Sequence, residues 1–265
     1  MKIDVVIQGP SDDVTLALVE QCLHVPFVNN IILSSYKSEV TEQLKDWITV
    51  IENDTVNPPG VGNRNLQINT TRNGLNKVTS KYCVRLRSDQ IVTGIAFNSM
   101  YNYWVKHEDP FNRISKSGSP LGRIYVLSLA TKFVYHPRDH ILWGFTDDLR
   151  KFFDCPFDTF VDKTNSNVTD PYSEVYSNHP QAEMWMGMHY YANYDESALL
   201  HKNNFTKYVT NLAPLKADAF ETEKKNLDRL FKSFPLIPGI LWPKHGFQEY
   251  PYHLVADFGE YWAND

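Results

Sequence analysis

Cysteine is nearly absent from this chain. Cys22, Cys83 and Cys155 are the only three, they form no C-x-x-C pair, and no histidine cluster stands beside them. That argues against a disulfide-stapled scaffold and against a zinc site. A basic excess is lacking too. The 26 Lys and Arg face 31 Asp and Glu, for a net charge of -5, and nucleic-acid-binding surfaces run the other way. No apolar run reaches the ~20 residues that a membrane-spanning helix needs. The opening MKIDVVIQGP holds too few apolar residues for a secretion signal or an anchor, so a cytoplasmic location is expected. The sequons at Asn69, Asn167 and Asn204 then read as chance matches. No G-x-G-x-x-G follows the first strand-like run, which disfavours NAD binding. Internal repeats and low-complexity tracts are also missing.

What is present is an alternation of short apolar runs. Residues 2–8 read as a strand stopped by Gly9-Pro10, and 13–23 as a helix with Val14, Leu16, Leu18, Val19 and Leu23 at helical spacing. A strand at 29–36, a short helix at 39–46 and a strand at 47–53 follow. After the turn-rich TVNPPGVG, residues 63–78 read as a helix with Gly74 inside it, and 81–92 as a fourth strand with Cys83 in its core. This order predicts an α/β fold, a mainly parallel sheet flanked by helices. Ligands of such sheets bind at the carboxyl ends of the strands. Gln8, Ser34, Ser35, Asn53, Asp54, Ser88 and Asp89 occupy those ends and are expected along one rim.

The second half is less regular. A helix is expected at 95–106, one or two strands at 123–135, a helix at 146–154 with Thr146 as N-cap, and loop over 156–180. Residues 181–193 read as a helix bearing Glu183, and 220–234 as a charged amphipathic helix. Aromatics gather after residue 97, among them Tyr101, Tyr103, Trp104, Trp185, Tyr190 and Tyr191. Core filling is the favoured reading, and a sugar-binding platform the functional one.

Several blocks carry a resemblance. Thr71-Arg72-Asn73-Gly74-Leu75, then Lys81-Tyr82 and Leu86-Arg87-Ser88-Asp89, resemble the core of nucleotide-sugar glycosyltransferases of the GT-A (Rossmann-like) fold. There, a helix with an Arg-Asn-x-Gly pattern precedes a strand ending in Asp-x-Asp. More narrowly, Val6-Ile7-Gln8-Gly9-Pro10, Asn63-Arg64-Asn65-Leu66-Gln67, Val84 to Asp89, and Asp139-His140 with Gly144 and Asp147-Asp148-Leu149 resemble the WavE lipopolysaccharide-synthesis family over roughly residues 3–190.

The resemblance implies one glycosyltransferase domain over 1–265, residues 1–95 binding a nucleoside-diphosphate sugar and 96–265 a glycan acceptor. It implies a divalent cofactor, Mn²⁺ or Mg²⁺, which neutralises the diphosphate and takes oxygen ligands such as Asp. Asp89 falls where the second Asp of the motif belongs, and His245 is a further ligand candidate. Arg87 stands in place of the first Asp, a departure that puts the two-carboxylate arrangement in doubt. Gln8, Gly9, Pro10, Asp54, Asn63, Arg64, Arg72, Arg87, Ser88 and Asp89 are the expected donor contacts. Asn63 and Asn65 have helix capping as their competing role. Glu183 is the first candidate for the base that takes the acceptor's proton, and Asp139 the second. Three other readings stay open: a non-catalytic carbohydrate-binding or degenerate transferase, a nucleotidyltransferase, and a glycosidase with two flanking carboxylates. The acidic Ser11-Asp12-Asp13 after the first strand disfavours the nucleotidyltransferase, which usually carries a Gly-rich basic loop there.

Overall fold

The computed structural model describes residues 1–107, 124–127, 137–158, 182–192, 230–235, 237–241 and 243. Its first half runs β1 (Ile3–Gln8), α1 (Asp13–Leu23), β2 (Val28–Ser35), α2 (Glu39–Leu44), β3 (Thr49–Glu52), α3 (Arg64–Leu75), β4 (Tyr82–Arg87) and β5 (Ile91–Val92). Its second half has α4 (Gly94–His107), β6 (Ile124–Val126), β7 (Ile141–Phe145), α5 (Thr146–Phe153), α6 (Ala182–Ala192), β8 (Phe231–Ser233) and β9 (Ile240–Leu241). Among the described residues, seven strands form one sheet in the order β3-β2-β1-β4-β7-β6-β8, while β5 and β9 form a separate ribbon. The β1, β2, β3 and β4 pairings are parallel, and so is β6 with β8. β7 runs antiparallel to both its neighbours.

Period-2 alternation divides the strands between two cores. Val6, Ile32, Cys83, Leu142, Ile124 and Val126 face α3, α5 and α6, with Ile68, Leu149, Phe152 and Tyr190. Val5, Ile7, Leu33, Val84, Leu86, Trp143 and Tyr125 face the other way, towards α1 and α4, with Leu18, Phe97 and Trp104. All three cysteines are buried thiols within these cores. The aromatics named above serve the same cores: Trp104 and Tyr190 are fully buried, Trp185 and Tyr191 nearly so. Tyr101 is half-buried and stacks on Phe27 with ring centroids 4.1 Å apart.

Several expected elements differ. The run 81–92 is two strands, because Ser88 and Asp89 form a turn after Arg87. β7 was not expected; Ile-Leu-Trp-Gly-Phe is buried at all five positions and has no alternation to mark it. Residues 231–233 are a strand beside β6 rather than the end of a helix, so pairing overrides a helical pattern there; residues 220–229 lie outside the described residues. Thr146 is the first helical residue, not the N-cap. Its hydroxyl donates to the Ser80 carbonyl at 2.7 Å, and Phe145 occupies the cap without a side-chain bond. Among the described residues, no helix is long and apolar enough to cross a membrane.

Two residues set how closely the layers meet. Gly74 faces the sheet, where a Cβ would lie 2.6 Å from Val6 Cγ1 and 3.2 Å from Ser34 Cβ. Only glycine lets α3 lie this close to β1 and β2. Asp4, the second residue of β1, lies on the same face, and its buried carboxylate accepts six hydrogen bonds, from the Thr79 and Ser80 backbone N–H groups and hydroxyls and from Asn29 and Asn30. It thereby fixes the turn that leads from α3 into β4. Burial pushes the Asp4 carboxyl upward, but the bonds from Ser80, Asn29 and Thr79 outweigh it and hold it below the usual range. A depressed folded value contributes stability above the ordinary carboxylate range and loses it as pH falls through the folded value. Asp4→Ala should therefore cost about 1–3 kcal/mol at neutral pH. The difference in urea midpoint between wild type and variant should narrow in strong acid. Equal midpoints at pH 7 would remove Asp4 from this role.

Candidate active site

The odd-numbered residues of β4 share one sheet face, so Cys83, Arg85 and Arg87 point the same way as Val6 and Gln8 of the neighbouring β1. Arg85 is fully buried. A guanidinium in that position must be paired and hydrogen-bonded. Arg85 donates to Gln8 Oε1 and to the Asp139 carbonyl, and its Nη1 lies 3.3 Å from Asp139 Oδ2. The Phe153 ring covers it, 5.6 Å from centroid to guanidinium carbon. Arg87, at the strand end, grips Asp89 with two parallel bonds, Nε to Oδ1 at 3.0 Å and Nη2 to Oδ2 at 2.6 Å. Its Nη1 lies 3.5 Å from Asp139 Oδ1.

Asp139, from the turn before β7, is therefore the centre of the cluster. Gln67 of α3 donates to its Oδ2, and Glu183 of α6 shares a hydrogen bond with it. Burial alone pushes the Asp139 carboxyl up, but Arg87 and Arg85 overcome this and hold it well below the usual range. Glu183 moves the other way, up to about 7, because burial and then the Asp139 charge both oppose its ionisation. One carboxyl stays ionised while its neighbour exchanges a proton near neutrality, the pattern that assigns acid–base roles. Burial and the charge of Arg87 bring His140 down to about 3, so it is neutral here. Its carbonyl accepts from Gln90 Nε2 at 2.7 Å and from the Arg87 backbone at 3.3 Å.

The strand-end rim is tied together beside this cluster. The register sets Gln8 opposite Ser34 on one side and Arg87 on the other. Ser88 donates its backbone N–H to the Gln8 carbonyl at 2.9 Å and its hydroxyl to the Pro10 carbonyl at 2.6 Å. Gly9 lies between them at φ +131°, where a Cβ would strike Ser88 Oγ. Asn53 is buried, donating to Ser34 Oγ at 3.0 Å and Ser35 O at 2.8 Å and accepting from Asn73 at 2.7 Å. Asp54, next along, is exposed at the end of β3.

Gln8, Arg87, Asp89, Asp139 and Glu183 thus come together, with Gly9, Pro10 and Ser88 adjoining and Asp54 further along the rim. Two expected phosphate contacts are engaged elsewhere. Arg64 is fully buried, paired with Asp158 at 3.1 Å and lying 4.7 Å over the Trp185 ring, so it joins α3 to α6. Arg72 donates to the Phe153 and Cys155 carbonyls and holds the end of α5. Asn63 is exposed with left-handed backbone at φ 60° and makes no side-chain cap bond, which corrects its capping role. Asn65 clamps two loops, donating to Pro58 O at 2.9 Å and Asp158 O at 2.7 Å. His245 lies outside the described residues.

Arg85, Gln67 and His140 had no expected role. Arg85 carried a usable signal, since an arginine flanked by Cys83, Val84 and Leu86 in a central strand must be buried and matched by a carboxylate. The residues around Asp89 do not fit a divalent ion. Arg87 covers both its oxygens, and among the described residues no three His, Cys, Asp or Glu converge as a metal site.

A mainly parallel sheet between two helical layers, with an arginine–carboxylate cluster at its strand ends, defines an α/β protein. The chain belongs to the WavE lipopolysaccharide synthesis family, whose model matches residues 3–209. No curated protein sequence matches it significantly. Solved structures similar to it include TarS 1–349 of S. aureus, at 11% identity and a TM-score of 0.44, covering 85% of this chain and 70% of that one. Another is 4-diphosphocytidyl-2C-methyl-D-erythritol synthase of Anaerococcus prevotii, at 10% identity and a TM-score of 0.40, covering 60% and 80%. A cytidylyltransferase of Leptospira borgpetersenii matches at 13% identity and a TM-score of 0.38, covering 59% and 66%.

Breaking a buried ion pair from one side costs about 3–5 kcal/mol. Arg85→Met should do so, because Asp139 loses its deepest partner. Arg87→Met removes a part-exposed arginine and should cost less, since Asp139 keeps Arg85 and Gln67. Urea unfolding of both variants checks the ranking, and equal losses would contradict the assigned burial.

Proposed function

We propose that this chain is a glycosyltransferase that moves a sugar from a nucleoside-diphosphate sugar to a hydroxyl of a glycan, either surface polysaccharide or glycoprotein glycan. The observation that carries the reading is the Glu183–Asp139 pair at the carboxyl ends of the parallel strands, one carboxyl ionised and the other titrating near neutrality. The family's link to lipopolysaccharide synthesis supports a polysaccharide acceptor. The donor lies over residues 1–95, along Gln8, Gly9, Pro10, Asp54, Arg87 and Ser88, and residues from 96 onward receive the acceptor.

The step is a displacement at the anomeric carbon. The Glu183 carboxylate takes the proton of the acceptor hydroxyl while that oxygen bonds to the anomeric carbon. The bond from this carbon to the diphosphate oxygen breaks, and its electron pair leaves with the diphosphate. Such a transfer inverts the anomeric configuration. Asp139 does not touch the reacting atoms; it orients Glu183 and raises its proton affinity through its own charge. Arg85, Arg87 and Gln67 hold Asp139 in place and ionised.

The sign of the pH dependence follows. Glu183 must be ionised to act as a base, so kcat/KM should fall tenfold per pH unit below about 7. Glu183→Gln should keep donor binding and lose about 10²–10⁴-fold in transfer rate. Asp139→Asn removes one cause of the raised value, so the acid limb should move to lower pH. The assay is release of nucleoside diphosphate from a panel of donors with a glycan acceptor. Pyrophosphate release from a nucleoside triphosphate and a sugar phosphate would instead mark a nucleotidyltransferase. Glycan binding with no turnover of any donor would mark a binding module. An unmoved acid limb in Asp139→Asn would place the base elsewhere.

A further inference from the structure

We infer that Arg87 takes the place of a divalent cation at the donor diphosphate, so that the nucleoside diphosphate binds without metal. The inference rests on the donor class proposed above.

Asp89 is the carboxylate to which a cation is expected to bind, and both its oxygens are held by the side edge of Arg87, at 3.0 and 2.6 Å. A divalent ion entering there must either displace that guanidinium or sit beside its positive charge. The next carboxylate, Asp139, is already shared among Arg85, Arg87 and Gln67. Two arginines, built into adjacent same-face positions of β4, thus supply positive charge to this cluster.

A guanidinium has two edges that can form paired bonds, one through Nε and Nη2 and one through both Nη atoms. Asp89 takes the first. Among the described residues, the second has only the 3.5 Å contact to Asp139, and the side chain is 31% exposed at the strand end. Planar arginine edges match phosphate oxygens in pairs. Nearby Asp139 and Asp89 outweigh burial and raise the proton affinity of Arg87, so it stays charged. Asp89 therefore acts as a positioning residue. It fixes Arg87 by one edge and leaves the other for the diphosphate, whose growing negative charge in the transfer step it stabilises.

The test is calorimetric titration of the full chain with UDP, GDP, CDP and dTDP, in EDTA and again with Mn²⁺. One nucleotide should bind with the same Kd, within about threefold, in both conditions. Arg87→Met should lose at least about tenfold in EDTA, and Arg87→Lys should recover only part of this, since an ammonium keeps the charge without the paired edge. Should neither variant fold, the comparison of EDTA with Mn²⁺ on the wild type still decides. Binding that requires Mn²⁺ would overturn the inference and leave the donor class standing. Binding unchanged by Arg87→Met would overturn it as well. Failure of all four nucleotides to bind would overturn both.

Discussion

The site depends on one constraint, the burial of Arg85 in the middle of a central strand. A charge without water around it needs a counter-charge and a full set of acceptors. Gln8 from β1, Asp139 from the turn before β7 and the face of Phe153 from α5 supply most of this through the Nη groups and the guanidinium face, and the buried Nε has no acceptor among the described residues. Each comes from a different element, so satisfying one guanidinium brings four elements to one place. Asp139 is pinned as a result, and because it is pinned and ionised, Glu183 meets a fixed negative charge. After its own burial, the raised proton affinity of Glu183 thus traces in part to an arginine that never reaches solvent.

The fold delivers these groups by simple geometry. Alternation along β4 sets Arg85 and Arg87 on the α3 side, and parallel register with β1 sets Gln8 against Arg87. Close approach of α3 follows from Gly74, whose missing side chain leaves room for Val6 and Ser34. That approach lets Gln67, on the same helix, reach Asp139. At the far end of the strands, Asp4 fixes the turn from α3 into β4 and so the start of the strand that bears both arginines.

Much of the first half was legible in the sequence, because its strands and helices alternate with clear stops. The helix 13–23 and the glycine within the third helix are where they were expected, and the strand-end polar residues do form a rim. β7 was hidden because a strand buried on both faces shows no alternation, and an apolar run of that length reads equally as helix. Residues 231–233 follow their pairing with β6 and not their local pattern. For the site, Glu183 and Asp139 were each legible as acidic residues in suggestive blocks. Their contact was not, since it depends on how α6 lies over the sheet. Arg64 and Arg72 misled for a related reason. Composition does not distinguish an arginine facing a phosphate from one facing a buried carboxylate or the open carbonyls of a helix end, and both are of the second kind.

Under the proposed function, the charges of the cluster would also couple donor to base. With Glu183 protonated, Arg85 and Arg87 balance Asp89 and Asp139, and the group is neutral. Ionising Glu183 leaves one excess negative charge, which Arg87 partly offsets. A diphosphate on the outer edge of Arg87 would add negative charge beside the same guanidinium. The proton affinity of Glu183 must then rise, because less positive field reaches it. By linkage, donor binding and proton binding at Glu183 favour each other, and the free energy of coupling is the same whichever is added first. A base with higher proton affinity takes a proton from a hydroxyl more readily. It is also ionised over a narrower range, so under the proposed mechanism donor binding would strengthen Glu183 as a base and shift its working range to higher pH.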